Sequence, residues 1–201
     1  MVVTKIMLSE DELQLVQNSG WILTKNAIIG KVYTMFGNVA ELLHDHVNER
    51  QHSLPENCST NNPKISKGEK YEDLPYVMLD YPRFFTKEEI VAVRNFFWWG
   101  NYFSTTLHVR GLHRHKVAAS ILEQFEYLAA KQFYLSTGGS EWDHNIDGSN
   151  YSLLNGYSKT ALSDVLEKSN FIKLAVKFPL KEWSIAEKQL ENSSIEMLTL
   201  L

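Results

Sequence analysis

The stretch that most constrains this chain runs from Tyr71 to Gly111, YEDLPYVMLDYPRFFTKEEIVAVRNFFWWGNYFSTTLHVRG. It holds 11 of the 24 aromatic residues in about a fifth of the length. Rings and β-branched side chains at this density suit a pleated surface, and Pro75 and Pro82 argue against a helix interior. Leu74 to Phe84 therefore reads as a strand. Tyr76, Met78 and Asp80 point one way and Val77, Leu79 and Tyr81 the other, so both faces want cover. Thr86 to Glu89 has capping-box spacing and predicts a single helical turn. Val91 to Trp99 and Tyr102 to Val109 follow as two strands about the turn dipeptide Gly100-Asn101. A helix over Glu88 to Trp99 is the competing reading.

The flanking segments supply helices. Ser9 to Glu12 is a capping box opening a short helix that stops near Gly20. Ile28, Val32, Met35, Val39, Leu42 or Leu43, and Val47 recur at helical spacing and predict a long helix from about Lys25 to Asn48. Arg50 to Lys70 is polar, contains Pro55, Pro63 and Gly68, and reads as a surface loop. A helix from about His115 to Leu135, ended by Gly138-Gly139, carries Val117, Ile121, Phe125, Leu128, Gln132 and Leu135 inward. Trp142 to Asn150 is turn-rich. Thr160 to Asn170 reads as a short helix and Phe171 to Pro179 as a half-exposed strand, with Lys173 and Lys177 on its polar face. A last helix, broken near Asn192-Ser193, runs to the terminus. The order predicts one α+β domain over 1–201, with a mostly antiparallel sheet of about four to five strands and helices packed against it.

Composition narrows the function. The 201 residues are 44% hydrophobic and 22% charged, ordinary values for a soluble globular chain. A net charge of −4 and a pI near 6.0 disfavour general nucleic-acid binding. No apolar run approaches a membrane span, and the opening MVVTKIMLSEDE is no export signal, so the expected location is the cytoplasm. Cys58 stands alone, which rules out an intrachain disulfide and a thiolate zinc site. Phosphate-loop, dinucleotide, zinc-protease and nucleophile-elbow motifs are missing, which leaves the cofactor unknown.

Five sets of residues carry what chemistry the sequence offers. Trp98, Trp99 and Tyr102 belong to a ring cluster whose default use is core, with a ligand pocket or stacking surface as the sharper reading. Arg110, His113, Arg114 and His115, with His108, form the densest positive cluster, a possible anion site leading into a helix. His108 and Asp143 are the acid–base candidates there. Asp143 and His144 together with His108, His113 or His115 have the chemistry of a hard metal site, but spacing does not bring them together, so none is assigned. Glu41 and His44 share a helix face, where a solvated helix end is the better reading. Asp80, between Leu79 and Tyr81, is the carboxylate expected to be buried, with Arg83 or Arg94 as its partner.

The order of elements is similar to that of the YktB-like bacterial proteins of unknown function. The resemblance rests on the acidic capped start, the long second helix, and the Lys-rich loop running into Tyr71-x-x-Leu74-Pro75 and an aromatic strand pair. The segment from Trp142-Asp143-His144 through the helix at Thr160, the strand at Phe171 and a last helix extends it. Thr86 to Phe97 is longer here. The resemblance implies a compact α+β fold and supplies no activity or catalytic residues.

Two functions follow as expectations. One is a non-catalytic domain that binds a small ligand or a protein partner through the aromatic sheet face, with a homodimer compatible with either use. The other is an enzyme acting on a small anionic or phosphorylated substrate through the basic segment 108–116.

Overall fold

The computed structural model of the chain describes residues 6–55, 58 and 60–201. The reading of the first residues, and the part of the polar loop at 56, 57 and 59, lie outside them. Along the chain run α1 (Glu10–Gln17), α2 (Ser19–Glu49), β1 (Lys64–Tyr71), β2 (Leu74–Phe85), β3 (Ile90–Trp98), β4 (Tyr102–Arg110), α3 (Arg114–Glu123), α4 (Phe125–Ala130), β5 (Tyr134–Ser136), β6 (Tyr151–Leu153), α5 (Lys159–Lys168), β7 (Phe171–Pro179) and α6 (Trp183–Thr199). The architecture is α+β with an antiparallel sheet.

That sheet has seven strands, in the order β1-β2-β3-β4-β7-β5-β6, rather than four to five. The extra strands come from three places. Lys64 to Tyr71, taken as the end of a loop, pairs with β2 as an edge strand whose lysines remain in water. Tyr134 to Ser136 leaves the predicted helix: α3 stops at Glu123, α4 stops at Ala130, and Gln132 turns at φ 58°. Leu135 then pairs with Leu174 of β7. Tyr151 to Leu153 completes the sheet by pairing with β5.

Two local readings also change. Thr86 to Glu89 is a tight hairpin loop rather than a helical turn, although the Thr86 hydroxyl does accept from the Glu89 amide, at 2.9 Å. The last helix does not break at Asn192-Ser193. Ser193 and Ser194 are buried, and their hydroxyls reach Thr105 at 2.6 Å and Asn95 at 3.2 Å. The Ser193 hydroxyl also reaches the Leu190 carbonyl of its own helix at 3.1 Å, so it bonds the backbone without breaking the helix.

One face of the sheet presents Val77, Leu79, Val91, Val93, Phe97, Phe103, Leu107, Val109, Ile172 and Leu174 to the helices, and this is the main core. Helix α2 lays Val32, Phe36, Val39, Leu43 and Val47 on it, as its periodicity predicts. Among the described residues, no helix packs on the opposite face. Residues 137–150, between β5 and β6, cross over it instead.

Candidate functional site

Strand alternation sends Asp80, Arg94, Tyr102, Thr106, His108 and Lys173 to the face that residues 137–150 cover. The ladder sets them in rows. Asp80 stands opposite Arg94, and His108 stands opposite Lys173. All four are buried, with Asp80 and Arg94 each 6% exposed and His108 and Lys173 each 1% exposed. Charge at this depth persists only where partners meet it.

Arg94 is clamped by Asp80 through a fork, Nε to Oδ1 at 2.6 Å and Nη2 to Oδ2 at 3.0 Å. This is the partner expected for Asp80. The remaining nitrogen, Nη1, meets Nε2 of His144 at 3.2 Å. An arginine can only donate, so that ring nitrogen is the acceptor. Lys173 donates from Nζ to the backbone carbonyl of Asp143, and its ammonium lies 5.6 Å from the centre of the Tyr151 ring. Two consecutive residues of one loop therefore complete the two buried cations with neutral acceptors.

His108 completes the row. Its Nε2 lies 3.1 Å from Glu141 Oε2, and Arg110 holds the other oxygen of that carboxylate. A carboxylate can only accept, so Nε2 carries the proton and Nδ1 is a lone-pair acceptor. Nδ1 is buried and has no partner.

Burial is the main cause of the titration behaviour. It pushes His108 down to about 3, helped by the charges of Lys173, Arg94 and Arg110. His144 falls well below its ordinary value by burial, then by Lys173 and Arg94. Lys173 falls to about 7, again by burial first and Arg94 second, with Asp143 and Glu141 opposing. Near neutral pH the two imidazoles are uncharged, and the lysine is divided between ammonium and amine.

The aromatic residues fasten this cover. Tyr102 donates to the His144 carbonyl at 3.1 Å and accepts from the Ile146 amide at 2.7 Å. Tyr71 accepts from the His144 amide at 2.6 Å, and Tyr151 donates to the Asp143 carbonyl at 3.1 Å. Phe96, Trp98, Tyr102, Ile146, Tyr151 and Ala175 pack together as a second cluster beneath the loop. Burial pushes the hydroxyl pKa values of Tyr71, Tyr102 and Tyr151 up from the ordinary phenol value, so all three are weaker acids and stay protonated.

The residues singled out in the sequence divide between places. His108, Arg110, Tyr102 and Asp143 converge on the covered face. Trp98 is buried there, with its indole N–H on the Tyr71 carbonyl at 3.2 Å. Trp99 is half-buried against the main core. His113, Arg114 and His115 do not join His108. Arg114 donates to the Leu166 carbonyl at the end of α5, at 2.7 Å, and meets His115 Nε2 at 3.2 Å. His113 caps α3 without a side-chain hydrogen bond.

Among the described residues, no group of three or more His, Cys, Asp or Glu is placed to hold a metal ion. Cys58 is buried, and desolvation pushes its thiol up to about 12. Sequence reasoning missed Lys173, read as solvent-facing, and gave Arg94 only as a partner for Asp80. The signal available was phase: Asp80, Arg94, His108 and Lys173 each occupy a period-2 slot among apolar neighbours on their own strand.

No protein-family model, curated protein or solved structure matches the chain. Among the described residues, no helix is long and apolar enough to cross a membrane.

Proposed function

We propose that this chain takes a small anionic molecule onto the charged part of the covered sheet face and acts on it by proton transfer. The observation that carries this reading is the pairing of Arg94 and Lys173 with the Asp143 carbonyl and His144. A buried guanidinium fixed by a carboxylate fork, with one nitrogen left for a neutral acceptor, is arranged as anion receptors are. Oxygen atoms of a substrate would take the positions of the Asp143 carbonyl and of His144 Nε2 when residues 137–150 part. Arg94 Nη1 and Lys173 Nζ then donate to the substrate. His108 accepts a proton at Nδ1, Glu141 holds its tautomer, and Arg110 holds Glu141. Trp98, Tyr102 and Tyr151 form the apolar wall and the loop fastening, a use of the aromatic face that fits binding of a small ligand.

Calorimetric titration with inorganic phosphate, pyruvate and phosphosugars tests this on the wild type, Lys173→Met and His144→Ala. Binding should weaken at least tenfold in Lys173→Met. It should tighten in His144→Ala, because the competing acceptor on Arg94 is gone. Equal affinity in all three proteins sinks the reading. A ligand lost in Trp99→Ala but kept in Lys173→Met would return the function to binding on the other side of the sheet.

A further inference from the structure

Resting on that reading, we infer that the anion is a small 2-oxo acid and that Lys173 Nζ captures its carbonyl carbon as an imine.

Four observations carry this. Lys173 is 1% exposed, and no carboxylate oxygen of a described residue lies within 4.0 Å of its nitrogen. A buried ammonium with one carbonyl and one ring for company is poorly compensated, whereas an uncharged amine is at ease there. Its titration near neutrality agrees with the geometry. Second, Arg94 gives one nitrogen to the imidazole of His144, the residue next to Asp143, whose carbonyl Lys173 bonds. A carboxylate on Arg94 Nη1 would set the adjoining carbonyl carbon toward Lys173, and 2-oxo acids join those two groups directly. Third, the unpartnered Nδ1 of His108 belongs to the residue directly across the ladder from Lys173. Cross-strand side chains at such positions are in contact. Fourth, Ser136 and Phe171, which lie one residue beyond Leu135 of β5 and two residues before Lys173, also line a surface cleft of about 370 Å³.

The steps balance without an added reagent. The Nζ lone pair attacks C2, the C–N bond forms, and the carbonyl electron pair moves to oxygen. His108 Nδ1 takes a proton from the nitrogen and returns it to that oxygen. That first transfer gives the neutral carbinolamine. His108 then relays the nitrogen's second proton to the same oxygen as the nitrogen lone pair closes the C=N bond, so the oxygen leaves as water and a neutral imine remains. Tyr151 and the closed loop exclude the water that would reverse the step.

Pyruvate and glyoxylate are the probes. The full chain is incubated with each in the presence of borohydride, which reduces an imine to a stable secondary amine. Intact mass and peptide mapping then locate the adduct. The expected result is one adduct, on the peptide carrying Lys173, absent from Lys173→Met and reduced at least tenfold in His108→Phe. An adduct spread over surface lysines, or none, overturns the inference. Mapping on the wild type decides this even if a variant fails to fold. A thermal shift with pyruvate but no adduct removes the imine and leaves the anion site standing. Neither shift nor adduct with either probe or with phosphate removes both.

Discussion

Arg94 Nη1 lies 3.2 Å from His144 Nε2, and this contact joins the floor of the site to its cover. The floor half is rigid because Asp80 and Arg94 face one another across β2 and β3 and share a two-bond fork. The cover half is a loop residue whose imidazole burial keeps uncharged. A neutral acceptor is the weakest partner a guanidinium accepts in such a place, which is why a substrate oxygen can replace it.

The fork sets the first expected outcome. Asp80→Asn leaves a buried guanidinium without its anion and should cost about 3–5 kcal/mol. Replacing both residues, as Asp80→Leu with Arg94→Met, removes the charge together with its partner and should recover most of that loss. Urea denaturation of the three variants measures it. A double variant as unstable as Asp80→Asn would locate the stabilisation somewhere other than in the pair.

Lys173 gives a signature in alkali. Its folded-state value, near 7, lies below the ordinary lysine value of 10.5. Between those limits the unfolded chain binds the extra proton, so stability rises with pH across the window. Below about 7 both states are charged and the burial penalty is present in full. Lys173→Met should therefore be more stable than the wild type at pH 7, and the difference should shrink toward pH 10. Denaturation curves of the two proteins across this range test it. A constant difference would mean that Lys173 titrates normally.

The histidines act in acid. His108 falls from 6.5 to about 3 and His144 falls in the same direction, so each contributes stability above pH 6.5 that is lost on acidification. Stability should drop between pH 6.5 and 3. The drop should be shallower in His108→Phe and His144→Ala, each of which removes one proton-binding site of the unfolded chain. Residues 137–150 should exchange their amide hydrogens first, because protonating His144 opposes its place on Arg94. An acid profile identical in all three proteins would disprove the account.

Much of the fold was legible because its determinants are local. The stripe from Val32 to Val47 and the turn at Gly100-Asn101 each follow from residues close in sequence. What escaped depends on distant partners. Tyr134 to Ser136 is too short to announce itself, and it becomes a strand because β7 offers an edge. Lys173 looked solvated because an alternating strand with lysines on one face usually is, and only the crossing of 137–150 buries it. Asp80 was legible as a buried carboxylate from its neighbours. The place of His144 was not, since nothing near it in sequence specifies Arg94.

The loop fastening predicts a local effect. Tyr102→Phe keeps the ring and removes two hydrogen bonds, leaving the Ile146 amide and the His144 carbonyl without that hydroxyl. The cost should be about 1–3 kcal/mol. It should show as faster hydrogen exchange at Ile146 than on the central strands. Uniform loss of protection would mean that the hydroxyl supports the whole sheet rather than the cover.

The other face of the sheet holds a separate polar group whose worth can be isolated. Asn95 is fully buried, donates to Ser194 at 3.0 Å and accepts from Thr105 at 2.8 Å, while Thr105 also meets Ser193 at 2.6 Å. These contacts tie α6 to β3 and β4 in the middle of the main core. Asn95→Leu alone strands the buried Ser194 hydroxyl, takes one of the two partners of Thr105, and should cost about 1–3 kcal/mol. Adding Thr105→Val and Ser194→Ala removes most of the orphaned groups and should return much of that loss, because apolar replacements of similar shape leave little unpaired. Thermal unfolding of the single and triple variants decides it. A triple variant no better than the single one would show that α6 is seated by its apolar contacts and that the hydroxyls merely accompany them.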